Sequence, residues 1–94
     1  MMNNLKTYMN DNSERLDLYT KAIAKVHSGS HPEVHEVKAL YETLKDKVRH
    51  EENVNNEFKQ LRDVTNNYEV PVDACETYEA TYQMLEEADK IYSS

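Results

Sequence analysis

Apolar side chains recur along this chain in helical stripes separated by short polar breaks. Leu16, Tyr19, Ile23 and Val26 repeat at spacings of three, four and three, which puts them on one helical face. Ser13 or Asn12 stands where such a helix would be capped. Gly29 stands where a left-handed residue would end it. The spacing predicts a helix over about 13–27. Ahead of it, Met2, Leu5 and Met9 suggest a short extra helix within residues 1–12.

A second stripe, Val34, Val37, Tyr41, Leu44 and Val48, follows the segment Ser30-His31-Pro32-Glu33. Either Ser30 and Glu33 form a capping box, or His31 caps and Pro32 takes the first helical position. The stripe turns polar at RHEENVNNE and resumes in shifted phase at Val54, Phe58, Leu61, Thr65 and Tyr68. No Gly or Pro marks the join, so the pattern favours one continuous helix over about 31–67. A hairpin broken near 51–56 is the alternative, because Asn53, Asn55 and Asn56 are mediocre helix formers. After Pro71, Asp73 and Glu76 give a further capping signature. Cys75, Tyr78, Tyr82, Leu85 and Tyr92 then carry a helix over about 73–92, with Cys75 on its buried stripe. No strand pattern occurs. The reading is all-α, with three main helices in one domain over 1–94.

Composition narrows the function classes. A chain of 94 residues buries a limited core, so a partner surface would add stability. No run of apolar residues is long enough for a membrane span, and the start MMNNLKTYMNDN has no apolar stretch resembling a leader. One cysteine gives no disulfide staple, which suggests a reducing cytoplasm. The net charge of −7 is concentrated at the end of the chain: residues 68–94 carry one basic and seven acidic side chains. Nucleic acid and anionic membranes are poor partners for such a surface.

Candidate chemistry gathers around four histidines and the cysteine. His31 and His35, four apart, would share a helix face and could chelate a transition metal, but no third ligand is evident. Cys75 reads as a core residue first and as a redox thiol second. No nucleophile triad, phosphate-cradling glycine loop or paired-acid motif occurs, so the reading is not an enzyme.

Two stretches carry a family resemblance. KVHSGSHPEV, residues 25–34, and LRDVTNNYEVPVDACETYEATYQML, residues 61–85, resemble the segments K-V-H-G-x-x-H-P-E-L and L-R-x-L-T-x-x-Y-x-x-P-x-x-A-C-x-T. Those segments belong to the hemerythrin-like domain of di-iron iron–sulfur cluster repair proteins. The resemblance covers roughly residues 16–88. It implies a helical bundle whose members hold two irons through histidines and carboxylates and help repair damaged iron–sulfur clusters.

Carried over residue by residue, the ligand set is short. His27 stands at a ligand position. The earlier ligand on the family's first helix has no histidine here, Tyr8-Met9 being the nearest echo. His50 could descend from either of two ligand positions. Aligned backwards from Phe58, Glu51 falls on a further ligand histidine and Asn55 on a usual glycine. The final H-x-x-x-E-N has no counterpart up to Ser94.

The expectation is therefore a degenerate hemerythrin-like protein, without a working di-iron site, acting through self-association or protein binding. Its rival is a di-iron or single-metal site using His27, His50 and Glu51, completed across a dimer. A third reading is an adaptor whose acidic last helix binds a basic partner. A homodimer is expected in particular because the long helix would leave a core that one chain cannot close.

Overall fold

The computed structural model describes residues 2–94 and is all-helical, with no strand among them. Four helices follow in order: α1 (Met2–His27), α2 (Glu33–Arg49), α3 (Asn55–Thr65) and α4 (Glu76–Ser93). α1 packs against both α2 and α4, and α2 packs against α3. α3 and α4 meet through long side chains, such as Arg62 on Asp89 at 2.8 Å and Phe58 on Tyr92 with ring centroids 5.3 Å apart. The result is an up-down-up-down bundle measuring 35 × 24 × 18 Å.

The largest correction concerns the long helix. The span 31–67 is not continuous: α2 stops at Arg49, and residues 50–54 turn the chain back into α3. Glu51 adopts a left-handed backbone with φ 58°. The Asn53 side-chain oxygen accepts the Asn55 N–H at 2.9 Å, the local bond by which asparagine competes with helix. Val54 is fully buried and draws the polar HEEN segment tight over the end of the core. Both halves of the stripe nevertheless behave as their phases require: Val34, Val37, Tyr41, Leu44 and Val48 are buried, and so are Val54, Phe58, Leu61, Thr65 and Tyr68. With the hairpin formed, four helices surround one core within a single chain. That core needs no helix from a second chain, contrary to the swapped dimer expected from a continuous long helix.

α1 differs as well. Instead of a short extension and a helix from about residue 13, one helix starts at Met2 and passes through the supposed caps. Its buried face is Leu5, Met9, Asn12, Leu16, Thr20, Ile23 and Ala24; the side chain of Met2 lies outside the described residues. Asn12 Nδ2 donates to the Tyr8 carbonyl at 2.8 Å and Thr20 Oγ1 to the Leu16 carbonyl at 2.7 Å, so two polar groups sit in the core face without an unmet bond. Val26, expected in the seam, is 71% exposed, and Leu18 is 65% exposed.

Three termini also differ from the capping signals. Gly29 has no positive φ; α1 ends instead as the N–H groups of Ser30 and His31 both bond to the His27 carbonyl, at 3.2 and 2.8 Å. Pro32 is helical in conformation (φ −61°, ψ −20°) at the head of α2, but no side chain caps it. α4 begins after Cys75, not at Asp73, because the Asp73 carboxylate is engaged elsewhere. Between α3 and α4, Asn66, Asn67 and Tyr68 have φ of 54°, 60° and 63°, a left-handed turn of three non-glycine residues.

Candidate functional site

One end of the bundle gathers the end of α1, the start of α2 and the segment leading into α4. His27 closes α1, and its Nε2 lies 3.2 Å from Cys75 Sγ, a residue 48 positions away. His31 lies in the α1–α2 turn. Its Nε2 reaches both Asp73 oxygens at 2.9 and 3.1 Å across 42 positions. Its Nδ1 faces Glu33 at 3.4 Å. Both imidazoles stand edge-on to the Tyr78 ring, His27 at 5.0 Å and His31 at 5.7 Å between centroids. Tyr78 itself is wholly buried and stacks edge-on against Tyr82, with the two hydroxyls 3.4 Å apart.

The electrostatics follow from these partners. The hydrogen bond to Asp73 raises His31 above its ordinary value; its limited burial opposes this, and the nearby Asp73 and Glu33 charges reinforce it. The same bond holds the Asp73 carboxyl below the usual carboxylate range. Both ring nitrogens of His31 thus face carboxylates, an arrangement that favours its protonated form. Burial pushes the Tyr78 and Tyr82 phenols upward, so they stay neutral and act as walls and hydrogen-bonding groups.

Cys75 is a correction to the expectation of a core thiol. It is exposed, because it occupies the extended position just before α4 (φ −82°, ψ 173°), where its side chain leaves the helical stripe. His27 and Cys75 thus meet as a hydrogen-bonded pair between the end of α1 and the head of α4. Nothing in the sequence spacing marks Asp73 as the partner of His31. That pairing exists only because the α3–α4 connection folds back across the end of the bundle.

The residues proposed from the family ligand pattern do not come together. His27 lies at one end of α2 and His50 at the other, separated by 17 helical residues, or about 25 Å of helix. His50 is exposed and donates from Nδ1 to the Asp46 carbonyl of its own helix at 2.9 Å. Glu51 is exposed and approaches only Lys6, at 3.8 Å. Glu52 is also exposed, and Glu57, though buried, is paired with Lys47 at 2.7 Å. His35 projects outward from α2 and makes no bond with His31. No group of three or more His, Cys, Asp or Glu among the described residues is arranged to hold a metal ion. The residues present therefore do not fit a di-iron centre within this chain.

No helix among the described residues is long and apolar enough to cross a membrane. Comparison with family models, with curated proteins and with solved structures finds no match to this chain.

Proposed function

We propose that this protein is a hemerythrin-like helical domain that works by self-association rather than through a di-iron centre. The observation that carries the reading is the apolar stripe on the outer face of α1. Leu18 and Val26 are largely exposed, and the half-buried Ala22 lies between them at four-residue spacing, so the three share one face turned away from the bundle. A second copy is the occupant that suits it. Residues 1–30 carry four basic and three acidic side chains, the least charged third of an otherwise acidic chain. Two copies meeting along α1 bring together the segment of smallest net charge. This surface is separate from the swapped core that the continuous-helix reading required. The separation of His27 from His50 and Glu51 supports the second half of the reading.

Light scattering and metal analysis on untagged protein test both halves. The expected result is a dimer at tens of micromolar, converted to a helical monomer by Leu18→Glu with Val26→Glu, and iron far below one per chain. A folded wild-type monomer at that concentration overturns the association. Stoichiometric iron that His27→Ala removes overturns the non-metal half and restores the site completed between copies.

A further inference from the structure

The segment from Val70 to Cys75 crosses the histidine end of the bundle, with Val70 and Ala74 packed against the core but few hydrogen bonds of its own. Its one backbone bond to itself is Ala74 N–H to the Pro71 carbonyl at 3.1 Å. Val72 is fully exposed, and Asp73 and Cys75 are exposed too. Tyr68, just before it, is anchored to Asp89, and α4 begins just after it. In between, its side-chain hydrogen bonds to other elements run to two histidines: Asp73 to His31, and Cys75 to His27. Beneath it lie Tyr78 and Tyr82, both buried.

We infer that Val70–Cys75 is a strap fastened by His31, closed when its imidazole is protonated and loosened when it is not. A neutral imidazole with its proton on Nε2 still donates to Asp73, but only the imidazolium adds a positive charge that faces Asp73 at 2.9 Å and Glu33 at 3.4 Å together, which strengthens the bond to the strap. The cation therefore joins the α1–α2 turn, the first turn of α2 and the strap at a single ring. The groups facing that ring are Asp73 from the strap, Glu33 from α2 and the neutral Tyr78 from α4; His27, at the end of α1, is close enough to act on Asp73.

The direction of the pH effect follows from linkage. His31 gains affinity for its proton on folding, so its contribution is complete below its ordinary 6.5 and is lost as pH rises through the higher folded value. Asp73 is shifted the other way, so its share is lost as pH falls through its lowered folded value. The strap is fastened in the interval between and loosens on the alkaline side. Loosening separates Cys75 from His27, a local opening of a loop that few hydrogen bonds hold.

Hydrogen exchange of the Ala74 amide, the N–H that is bonded within the strap, followed in the full chain and corrected for its intrinsic rate, tests this at pH 6 and pH 8.5. Wild type should lose protection in the strap several-fold at the higher pH, while α2 protection stays constant. His31→Gln should show the low protection at both pH values, and Asp73→Asn should do the same without touching the histidine. Equal strap protection at both pH values in wild type overturns the inference. So does an unchanged pH response in either variant.

Discussion

The two ends of this bundle each carry histidine, yet they are closed by different physics. At the end built from the α1–α2 turn and the strap, His27 and His31 bond to residues 48 and 42 positions away, on exposed or half-exposed surface. At the opposite end, His50 bonds four residues back along its own helix. There the closing work falls to apolar plugs: Leu5, Met9, Val54 and Phe58 are buried, with Phe58 against Tyr92. A histidine at a helix end becomes structural only when the chain brings an acid or a thiol to it. Where none arrives it is a solvated cap, and packing alone closes the gap.

That contrast is open to test, and the largest effect is expected at the apolar end. Phe58→Ala should destabilise the fold by about 3–5 kcal/mol in urea denaturation, with no dependence on pH between 6 and 8. A cost below about 1 kcal/mol would mean that the plug is not what closes that end.

Second in size is Asp89→Ala. Asp89 is buried and accepts two bonds from Arg62 at 2.8 Å and one from the Tyr68 hydroxyl at 2.7 Å, tying α4 to α3 and to the turn after it. Arg62 is 40% exposed and can rehydrate, so the loss should be about 2–3 kcal/mol, less than for a fully enclosed pair. Circular dichroism melts would measure it.

Tyr41→Phe comes third. The Tyr41 hydroxyl donates to Asp17 at 2.6 Å, while Lys45 continues to satisfy that carboxylate at 2.8 Å. Removing one of two donors should cost about 1 kcal/mol. Burial opposes ionisation of Asp17, but its bonds from Lys45 and Tyr41 outweigh this and hold the carboxyl below its ordinary value. The variant should therefore also raise the Asp17 pKa, visible as a shifted carbon titration in NMR.

The smallest effect distinguishes the histidines directly. His50→Ala should change stability by less than about 0.5 kcal/mol at any pH from 5.5 to 8.5, as an exposed residue outside any network does. A pH-dependent loss in this variant matching that expected for His31→Gln would erase the difference between the two ends.

Much of the core was legible from spacing alone, because burial obeys the helical period. Every member of the Val34–Val48 stripe and of the Val54–Tyr68 stripe is buried. The break between them was also present in the sequence, as the phase shift and the asparagines, but the absence of Gly and Pro outweighed it. Asn53 and a left-handed Glu51 turn the chain without either. α1 was obscured for the opposite reason: Asn12 and Thr20 occupy seam positions and satisfy themselves on preceding carbonyls, so a purely apolar period misses half the helix. The histidine site was legible only as a list of residue types. Its pairings span more than 40 positions and depend on where the strap lies, which no local pattern specifies.

The left-handed turn at Asn66, Asn67 and Tyr68 has a consequence for the order in which this molecule assembles. Asparagine tolerates that conformation, but a tyrosine in it is uncommon and opposes it. The Tyr68 N–H on Thr65 Oγ1 at 2.8 Å holds it from within the turn, while its hydroxyl on Asp89 is engaged only once α4 is in place. The helical hairpins α1–α2 and α2–α3, joined by short turns, can form first; the Tyr68 hydroxyl contact can only follow. Substitutions at Tyr68 should therefore leave the folding rate nearly untouched and accelerate unfolding, the kinetic mark of a residue whose contacts are made after the transition state.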